Sequence, residues 1–138
     1  GHVIDAKGYI NNATCGDFVA AVAQKMGIAG LVIDGVVRDI AGIRELNYPV
    51  FCRGTTTAAS DKAGSGEVNV PISCGGVAVR PGDIIVGDED GVVVVPQERA
   101  EEILHKAQTK LQKDIEREKQ VLASREACLA YLEQQLNK

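Results

Sequence analysis

Two adjacent charged residues, Arg38 and Asp39, follow the apolar run LVIDGVV at residues 31–37. A guanidinium group binds carboxylates, and a carboxylate binds hard divalent cations, so this pair is the first candidate for chemistry. Neighbouring residues of a strand point to opposite faces, so the two side chains are expected to be poorly placed to pair with each other. We therefore expect both to face a bound group.

A third charged residue, Asp17, precedes this pair by a spacer of twenty residues and stands at the start of a predicted helix. The unpaired N–H groups of residues 16–19 and the positive end of the helix dipole favour an anion there, such as a substrate carboxylate. A site forms only if the turn after Val37 brings the charged pair beside this helix start. A purely structural interpretation stays open, with Asp17 as a helix N-cap and Asp39 as the exposed start of the next helix.

Strands and helices alternate over the first 54 residues, which is typical of an α/β fold with parallel strands. HVIDAKG predicts a short strand broken by Gly8, while LVIDGVV and PVFCRG predict two further strands. IAGIREL predicts a short helix. A longer helix is predicted within residues 13–30, with Gly27 as its stop. Its evidence is a set of apolar residues at helical spacing: Phe18, Val19, Val22, Ala23 and Met26.

The next part of the chain predicts a loop followed by hairpins. Residues 55–73 are polar and rich in Gly and Ser, which is typical of a loop leading into new strands. Residues 75–96 hold short β-branched runs separated by Pro-Gly-Asp and Glu-Asp-Gly, and this pattern predicts a tight antiparallel hairpin region.

The last part of the chain predicts helix. Residues 97–138 contain no Gly or Pro, and apolar residues recur at helix-compatible spacing, so we expect a long helix or a helix pair. The stripe is narrow and is interrupted by Glu118 and Arg125, yet it resembles a coiled-coil seam. It favours contact with a helix of another subunit over packing on the chain's own sheet. We thus divide the chain into an α/β domain, 1–96, and a helical extension, 97–138.

Composition excludes several classes of protein. The 138 residues are 45% hydrophobic and 25% charged, which are ordinary values for one globular domain, and the net charge of −4 argues against nucleic-acid binding. No run has the length of a membrane span and no signal segment is visible, so we expect a soluble, cytoplasmic protein with no membrane partner. The four cysteines lack zinc-site spacing with each other or with His2 and His105. We expect reduced thiols, mostly buried as small hydrophobic residues.

The ordered series of motifs resembles one family. The chain has Asp17, a spacer of twenty residues and then Arg38-Asp39, which follow GLVIDGVV. This series is similar to the Asp-x20-Arg-Asp motif of the divalent-metal-dependent class II pyruvate aldolases. These are the 4-hydroxy-4-methyl-2-oxoglutarate and 4-carboxy-4-hydroxy-2-oxoadipate aldolases, and the regulator of ribonuclease activity A shares their family. PVFCRG at 49–54 and GGVAVRPGDIIVGDEDGVVVVP at 75–96 follow in order, so the resemblance covers most of the chain.

The resemblance implies a fold and an assembly. The expected fold is the swivelling, phosphohistidine-domain-like β/β/α type, here with an extended C-terminal helix, assembled as a homotrimer or hexamer. Family members carry a segment before the strand that matches VIDAKG, so this chain is expected to be truncated at its N-terminus. The aldolases also recruit an acidic residue from a neighbouring subunit's C-terminal region. Asp114, Glu116 and Glu118 are the candidates here, and none of them aligns securely.

The resemblance also implies residue roles. Asp39 would anchor Mg²⁺ or Mn²⁺, partly through waters, and Asp17 would hold one such water. Arg38 would contact the keto oxygen of the substrate. Backbone N–H groups would cradle the pyruvyl carboxylate, and these belong to Gly16, Asp17, Phe18 and Val19. We expect these groups and the Arg38 guanidinium to converge on one cavity, with Asp39 at its rim and unneutralised by any arginine or lysine of its own chain.

The implied activity is the metal-dependent cleavage of 4-hydroxy-2-oxo dicarboxylic acids to pyruvate by a retro-aldol reaction. Decarboxylation of oxaloacetate is expected at the same site, because both reactions pass through the enolate of pyruvate. The alternative is a non-enzymatic, protein-binding regulator of ribonuclease activity, since that branch of the family keeps the same motif.

Overall fold

A four-stranded parallel sheet forms the centre of the first of two units, Gly1–Gln97 and Glu98–Lys138, in the computed structural model of residues 1–138. Its strands are β1 (His2–Tyr9), β2 (Leu31–Val37), β3 (Val50–Phe51) and β4 (Gly54–Thr55). Strand β2 pairs with β1 on one side and with β3 and β4 on the other. Strand β2 is buried along most of its length, and covered faces account for its nearly continuous apolar sequence.

Two helices follow β1 and β2 in the chain: α1 (Asp17–Lys25) and α2 (Ile40–Glu45). The face of α1 that is buried consists of Ala20 and Ala23, which belong to the core cluster together with Leu31 and Ile33 of β2. The larger apolar residues that predicted the helix are exposed: Phe18, Val19, Val22 and Met26. The helix was therefore predicted correctly but its buried face was not, because small alanines let α1 approach its neighbours closely.

Strand β1 does not end at Gly8 as predicted. Lys7 and Gly8 have positive φ angles of 58° and 67°, and the pairing register with β2 shifts between Ile4 and Tyr9. The chain thus bulges and then pairs again, with Tyr9 beside Gly35. A glycine inside a strand marked a bulge here and not a strand end.

Two antiparallel hairpins complete the first unit, of which the Glu-Asp-Gly signal predicted one; Pro-Gly-Asp joins the two hairpins, and β5 begins inside the predicted loop. Strands β5 (Ile72–Cys74) and β6 (Val77–Val79) form one hairpin, and β7 (Ile84–Asp88) and β8 (Gly91–Val95) form the other. The β5–β6 turn is Gly75-Gly76, whose φ angles of 58° and 80° favour glycine at both places.

The second unit is a helix pair, α3 (Ala100–Val121) and α4 (Arg125–Leu136), so the prediction of a long C-terminal helical region is confirmed. The Ser124 hydroxyl caps α4 by accepting a hydrogen bond of 3.0 Å from the Ala127 N–H. Neither helix has a buried residue. The apolar stripe is exposed in the single chain: Leu104, Leu111, Ile115, Leu122, Leu129, Leu132 and Leu136. No helix is both long and apolar enough to cross a membrane.

All four cysteines are free thiols, as predicted, but they are not mostly buried. Cys15 alone is buried, Cys52 is exposed, and Cys74 and Cys128 are half-buried. Burial raises the pKa of the Cys15 thiol above its ordinary value, so this group stays protonated at neutral pH.

Candidate functional site

The start of α1 and the end of β2 lie side by side. Cys15 forms an isolated parallel bridge with Val37, and the Arg38 N–H donates to the Cys15 carbonyl oxygen over 3.0 Å. Gly16 and Arg38 are the next residues of the two segments, and a methyl group built on Gly16 would lie 3.2 Å from Cγ and Nε of Arg38. The turn after Val37 thus brings the charged pair beside the helix start, which is the condition the sequence spacing left open.

Arg38 and Asp39 do pair with each other, contrary to the expectation from strand alternation. Arg38 Nε lies 3.4 Å from Asp39 Oδ2, and each side chain is a little under half exposed. Strand β2 ends at Val37, and Asp39 has left-handed backbone angles, φ 59° and ψ 43°, so the alternation of faces no longer applies. The separation is longer than a charge-assisted hydrogen bond, and exposed pairs of this kind contribute little to stability.

The structural interpretation of the two aspartates fits in part. Asp39 occupies the N-cap position of α2, but its side chain accepts no capping hydrogen bond. The N-cap of α1 is Gly16, so Asp17 is the first residue of that helix and not its cap. The N–H groups of residues 17–19 lie in the first turn, where they have no acceptor within the helix. Both carboxylates are therefore left without the capping role that would explain them.

The two helix starts interlock through glycines. A methyl group on Gly16 would overlap Asp39 Oδ2, and one on Gly42 would overlap Asp17 Oδ2 and approach Asp17 Cβ to 2.9 Å. Each carboxylate thus lies against bare backbone of the other helix start, which places both of them at the junction of α1 and α2.

The groove beside the start of α1 takes in only part of the predicted site. A groove of about 450 Å³ runs along Asp17 and Phe18, but neither Arg38 nor Asp39 lines it. The remaining lining residues come from the facing sides of α1 and α2: Ala21, Gly42, Glu45 and Leu46. Arg38 and Asp39 lie outside this groove, with a little under half of each side chain exposed.

The carboxylates suit a hydrated Mg²⁺ or Mn²⁺ better than a metal held only by protein ligands. No group of three or more His, Cys, Asp or Glu side chains is placed to hold a metal ion. Asp39 and Asp17 would supply two carboxylate groups from this chain. Mg²⁺ keeps several waters and is commonly bound through one or two carboxylates, whereas a structural zinc site needs four ligands. The donor set therefore fits the metal that the sequence motif implies.

A second charged cluster, which the sequence reasoning missed, involves Asp34 of β2. Asp34 is only 8% exposed, and its carboxylate accepts hydrogen bonds from Arg53 Nε and, over 2.8 Å, from the Gly75 N–H. These donors, the guanidinium first, hold the pKa of Asp34 below its ordinary value. Arg53 lies between β3 and β4, and its own N–H donates over 2.8 Å to the carbonyl oxygen of Gly35, the residue after Asp34 in β2.

The sequence held one signal for this pair: an acidic residue, Asp34, within an apolar strand, and an arginine, Arg53, just after the following strand. The cluster borders a cavity of about 580 Å³ that Cys74 and Glu89 also line. Both carboxylate oxygens of Asp34 have donors, which explains its burial structurally.

Comparisons with known proteins agree on one family. The RraA-like family model, described as Aldolase/RraA, matches residues 2–94. A protein of Halalkalibacterium halodurans named "Putative 4-hydroxy-4-methyl-2-oxoglutarate aldolase" is 53% identical over 135 residues, which are 98% of this chain and 64% of the relative.

Two solved structures are similar in fold as well as in sequence. An uncharacterized protein from Pseudomonas syringae pv. tomato has a TM-score of 0.81 at 32% identity. The match covers 94% of this chain and 65% of the Pseudomonas chain. The RNA-processing inhibitor RraA from Thermus thermophilis has a TM-score of 0.65 at 37% identity, with 69% of this chain and 58% of that one covered. The chain thus spans less than two thirds of these proteins.

Proposed function

Because the chain belongs to the RraA-like family of aldolases and RraA proteins, we propose that it carries the site of a divalent-metal-dependent lyase. Its substrates would be 4-hydroxy-2-oxo dicarboxylic acids, which a retro-aldol reaction cleaves to pyruvate. Oxaloacetate would be decarboxylated at the same site, since both substrates leave the enolate of pyruvate. The relative at 53% identity, named as an aldolase, supports a lyase activity in general.

One observation carries the proposal: Arg38 and Asp39 lie against the start of α1 at Gly16. A guanidinium, a carboxylate and the free N–H groups of a first helical turn are thereby brought to one place. These groups complement a 2-oxo acid, whose carboxylate suits the N–H groups and whose oxo oxygen suits the guanidinium.

The residues of the chain then have distinct tasks. The N–H groups of Gly16 to Val19 would bind the substrate carboxylate and so fix the direction in which the oxo group points. When the C3–C4 bond breaks, its electron pair moves onto the 2-oxo oxygen, where Arg38 donates to the developing charge. The C4 hydroxyl loses its proton and becomes a carbonyl group, and the enolate that remains takes up a proton at C3 to give pyruvate. No histidine is near the motif in sequence, so we assign a water as the acceptor of the hydroxyl proton.

Asp39 would hold Mg²⁺ or Mn²⁺, and Asp17 would hold a water of that ion. The bound metal supplies Lewis-acid stabilisation of the charge that develops on oxygen. Two carboxylates at one helix junction suit an ion that retains water, and the exposed part of the Asp39 side chain leaves room for such waters.

The test is the release of pyruvate from oxaloacetate with Mg²⁺, with EDTA, and in an Asp39→Ala variant. We expect EDTA to abolish turnover and Asp39→Ala to lower it by about 100-fold or more, since the metal site is lost. Asp61→Ala is the matched control, because Asp61 is an exposed aspartate in the loop at 55–73. Metal-independent turnover, or an Asp39→Ala variant as fast as the wild type, would reject the mechanism.

A second candidate is a non-enzymatic regulator that binds a ribonuclease, favoured by the 37% identity to the RNA-processing inhibitor RraA. A crystal soaked with Mg²⁺ and oxalate, which mimics the enolate of pyruvate, separates the two functions. Oxalate density beside Arg38 supports the lyase. An empty site together with the absence of turnover on a panel of 2-oxo acids supports the regulator.

A further inference from the structure

Gly16 is a glycine whose backbone does not need to be one. Its angles, φ −126° and ψ −165°, are those of extended chain that any residue adopts. Gly16 is also the N-cap of α1, a position that accepts glycine but at which serine, asparagine or aspartate would add a capping hydrogen bond. The backbone conformation thus does not require glycine and a polar cap would serve the helix at least as well, so the space around residue 16 supplies a further reason for the missing side chain.

The space next to Gly16 is filled by the two charged side chains of the candidate site. A methyl group there would overlap Asp39 Oδ2 and would lie 3.2 Å from both Cγ and Nε of Arg38. These are its three nearest neighbours, and all three are side-chain atoms of partly exposed residues. By contrast, a methyl group on Gly64 would meet no atom within 4 Å.

We propose that Gly16 is a positioning residue: its missing side chain keeps open the space in which Asp39 and Arg38 both lie over the start of α1. This inference rests on the proposed function for its catalytic consequence. Any side chain at position 16 would push the carboxylate and the guanidinium outward together. The separation of both groups from the N–H groups of the first helical turn would then change by about 1 Å or more, because non-bonded atoms pack at about 3.5–4.0 Å.

The substitution Gly16→Ala should leave folding nearly intact. The atoms that must move belong to flexible side chains that can turn into solvent, and the backbone at residue 16 already suits alanine. The fold is therefore expected to keep its unfolding temperature to within a few degrees, while the site loses its arrangement. This separation of stability from site geometry is what a merely structural glycine would not show.

The experiment combines a crystal structure of Gly16→Ala with Mn²⁺ titrations followed by electron paramagnetic resonance. Gly64→Ala is the matched control. We expect the structure to show Arg38 and Asp39 displaced from the helix start, and Mn²⁺ affinity to fall tenfold or more in Gly16→Ala but not in Gly64→Ala. Adding Gly16→Ala to Asp39→Ala should weaken Mn²⁺ binding no further, because the group that is displaced has already been removed.

The outcomes separate the two proposals. A Gly16→Ala variant with both side chains unmoved and wild-type Mn²⁺ affinity overturns the positioning role. A wild type that binds no Mn²⁺, together with a displaced pair in Gly16→Ala, refutes the proposed lyase and leaves the positioning role standing. If the Gly16→Ala variant does not fold, the double variant that also carries Asp39→Ala must fold, because the carboxylate that the new methyl group overlaps has been removed. Failure of the double variant to fold also overturns the inference.

Discussion

Arg53, in the bend between β3 and β4, forms an ion pair with Asp34 of β2, and the Gly75 N–H of the β5–β6 turn adds a hydrogen bond of 2.8 Å to the same carboxylate. Side chains alternate along β2, and Leu31 and Ile33 pack with α1, so the pair lies on the other face of the sheet. Three segments that are distant in sequence thus meet at one carboxylate.

Stability is expected to fall on acidification through Asp34. Arg53 and the Gly75 N–H lower the folded-state pKa of this carboxyl. The contribution of Asp34 to the free energy of unfolding is therefore complete above the unfolded-state pKa of about 4. This contribution is lost as the pH falls through the lower folded-state pKa. Urea unfolding measured from pH 6 to pH 2 should show a wild-type stability that decreases more steeply below pH 4 than that of Asp34→Asn.

Asp61→Asn is the control for this prediction, since it removes one exposed aspartate outside the cluster. At pH 6 we expect Asp34→Asn to lower the unfolding temperature by several degrees and Asp61→Asn to leave it unchanged. Parallel acid profiles for the wild type and Asp34→Asn would show that the pair does not link folding to pH.

Arg38→Lys should reduce turnover strongly while leaving stability nearly unchanged. Lysine keeps the charge but loses the planar, forked donor geometry that suits a keto acid, and we expect pyruvate formation to fall by about tenfold to 100-fold. The 3.4 Å ion pair with Asp39 is exposed, so its loss should not change the unfolding temperature measurably. A destabilised Arg38→Lys variant with normal activity would make Arg38 a structural residue.

Tyr48→Phe is expected to be neutral or stabilising. The Tyr48 hydroxyl is buried and has no hydrogen-bond partner, and the residue packs in the core cluster of the first unit. Removing an unsatisfied buried hydroxyl should raise the free energy of unfolding by up to about 1 kcal/mol. Tyr48→Ala, which also removes the ring, should lower it by about 3–5 kcal/mol. A clear loss of stability in Tyr48→Phe would indicate a partner for the hydroxyl.

The apolar stripe of α3 and α4 leads us to predict a homo-oligomer, with a trimer or hexamer as the expected state. Leu122, at the end of α3, and Leu129, in α4, are both exposed in the single chain, and large apolar side chains of this kind are covered at subunit interfaces. Light scattering at micromolar concentration should give an oligomer for the wild type and a smaller species for Leu122→Glu with Leu129→Glu. Gln120→Glu in α3 is the control, and a monodisperse wild-type monomer would contradict the prediction.

The sequence predicted the elements of the fold because each was specified by local patterns. The helical spacing in residues 13–30, the Glu-Asp-Gly turn of the β7–β8 hairpin and the helix formers after Gln97 all lie within a few residues of the structure they determine. The spacing of the motif also made Gly16 a candidate neighbour of Arg38 and Asp39. The structure brings these residues together because the parallel bridge from Cys15 to Val37 aligns the two segments.

The features that sequence reasoning missed depend on longer-range or finer geometry. Asp39 adopts a left-handed conformation, and one residue of that kind is enough to turn its carboxylate back toward Arg38. The pairing of Asp34 with Arg53 depends on strand register, which hydrophobic patterns do not reveal in a sheet buried on both sides. The buried face of α1 was misjudged because alanine counts weakly in such patterns although it permits close packing.

The charged surface of α3 implies that the two units acquire structure on different timescales. Its ion pairs join residues three or four positions apart, as between Glu102 and Lys106 or Lys110 and Asp114, and none of its residues is buried. Such local contacts can form within about 1 μs, although they stabilise a helix only marginally. The sheet instead needs partners such as Asp34 and Gly75, which are 41 positions apart, and closing that chain segment slows its assembly. During refolding, far-ultraviolet helical signal should therefore appear before the sheet protects its amide protons from exchange.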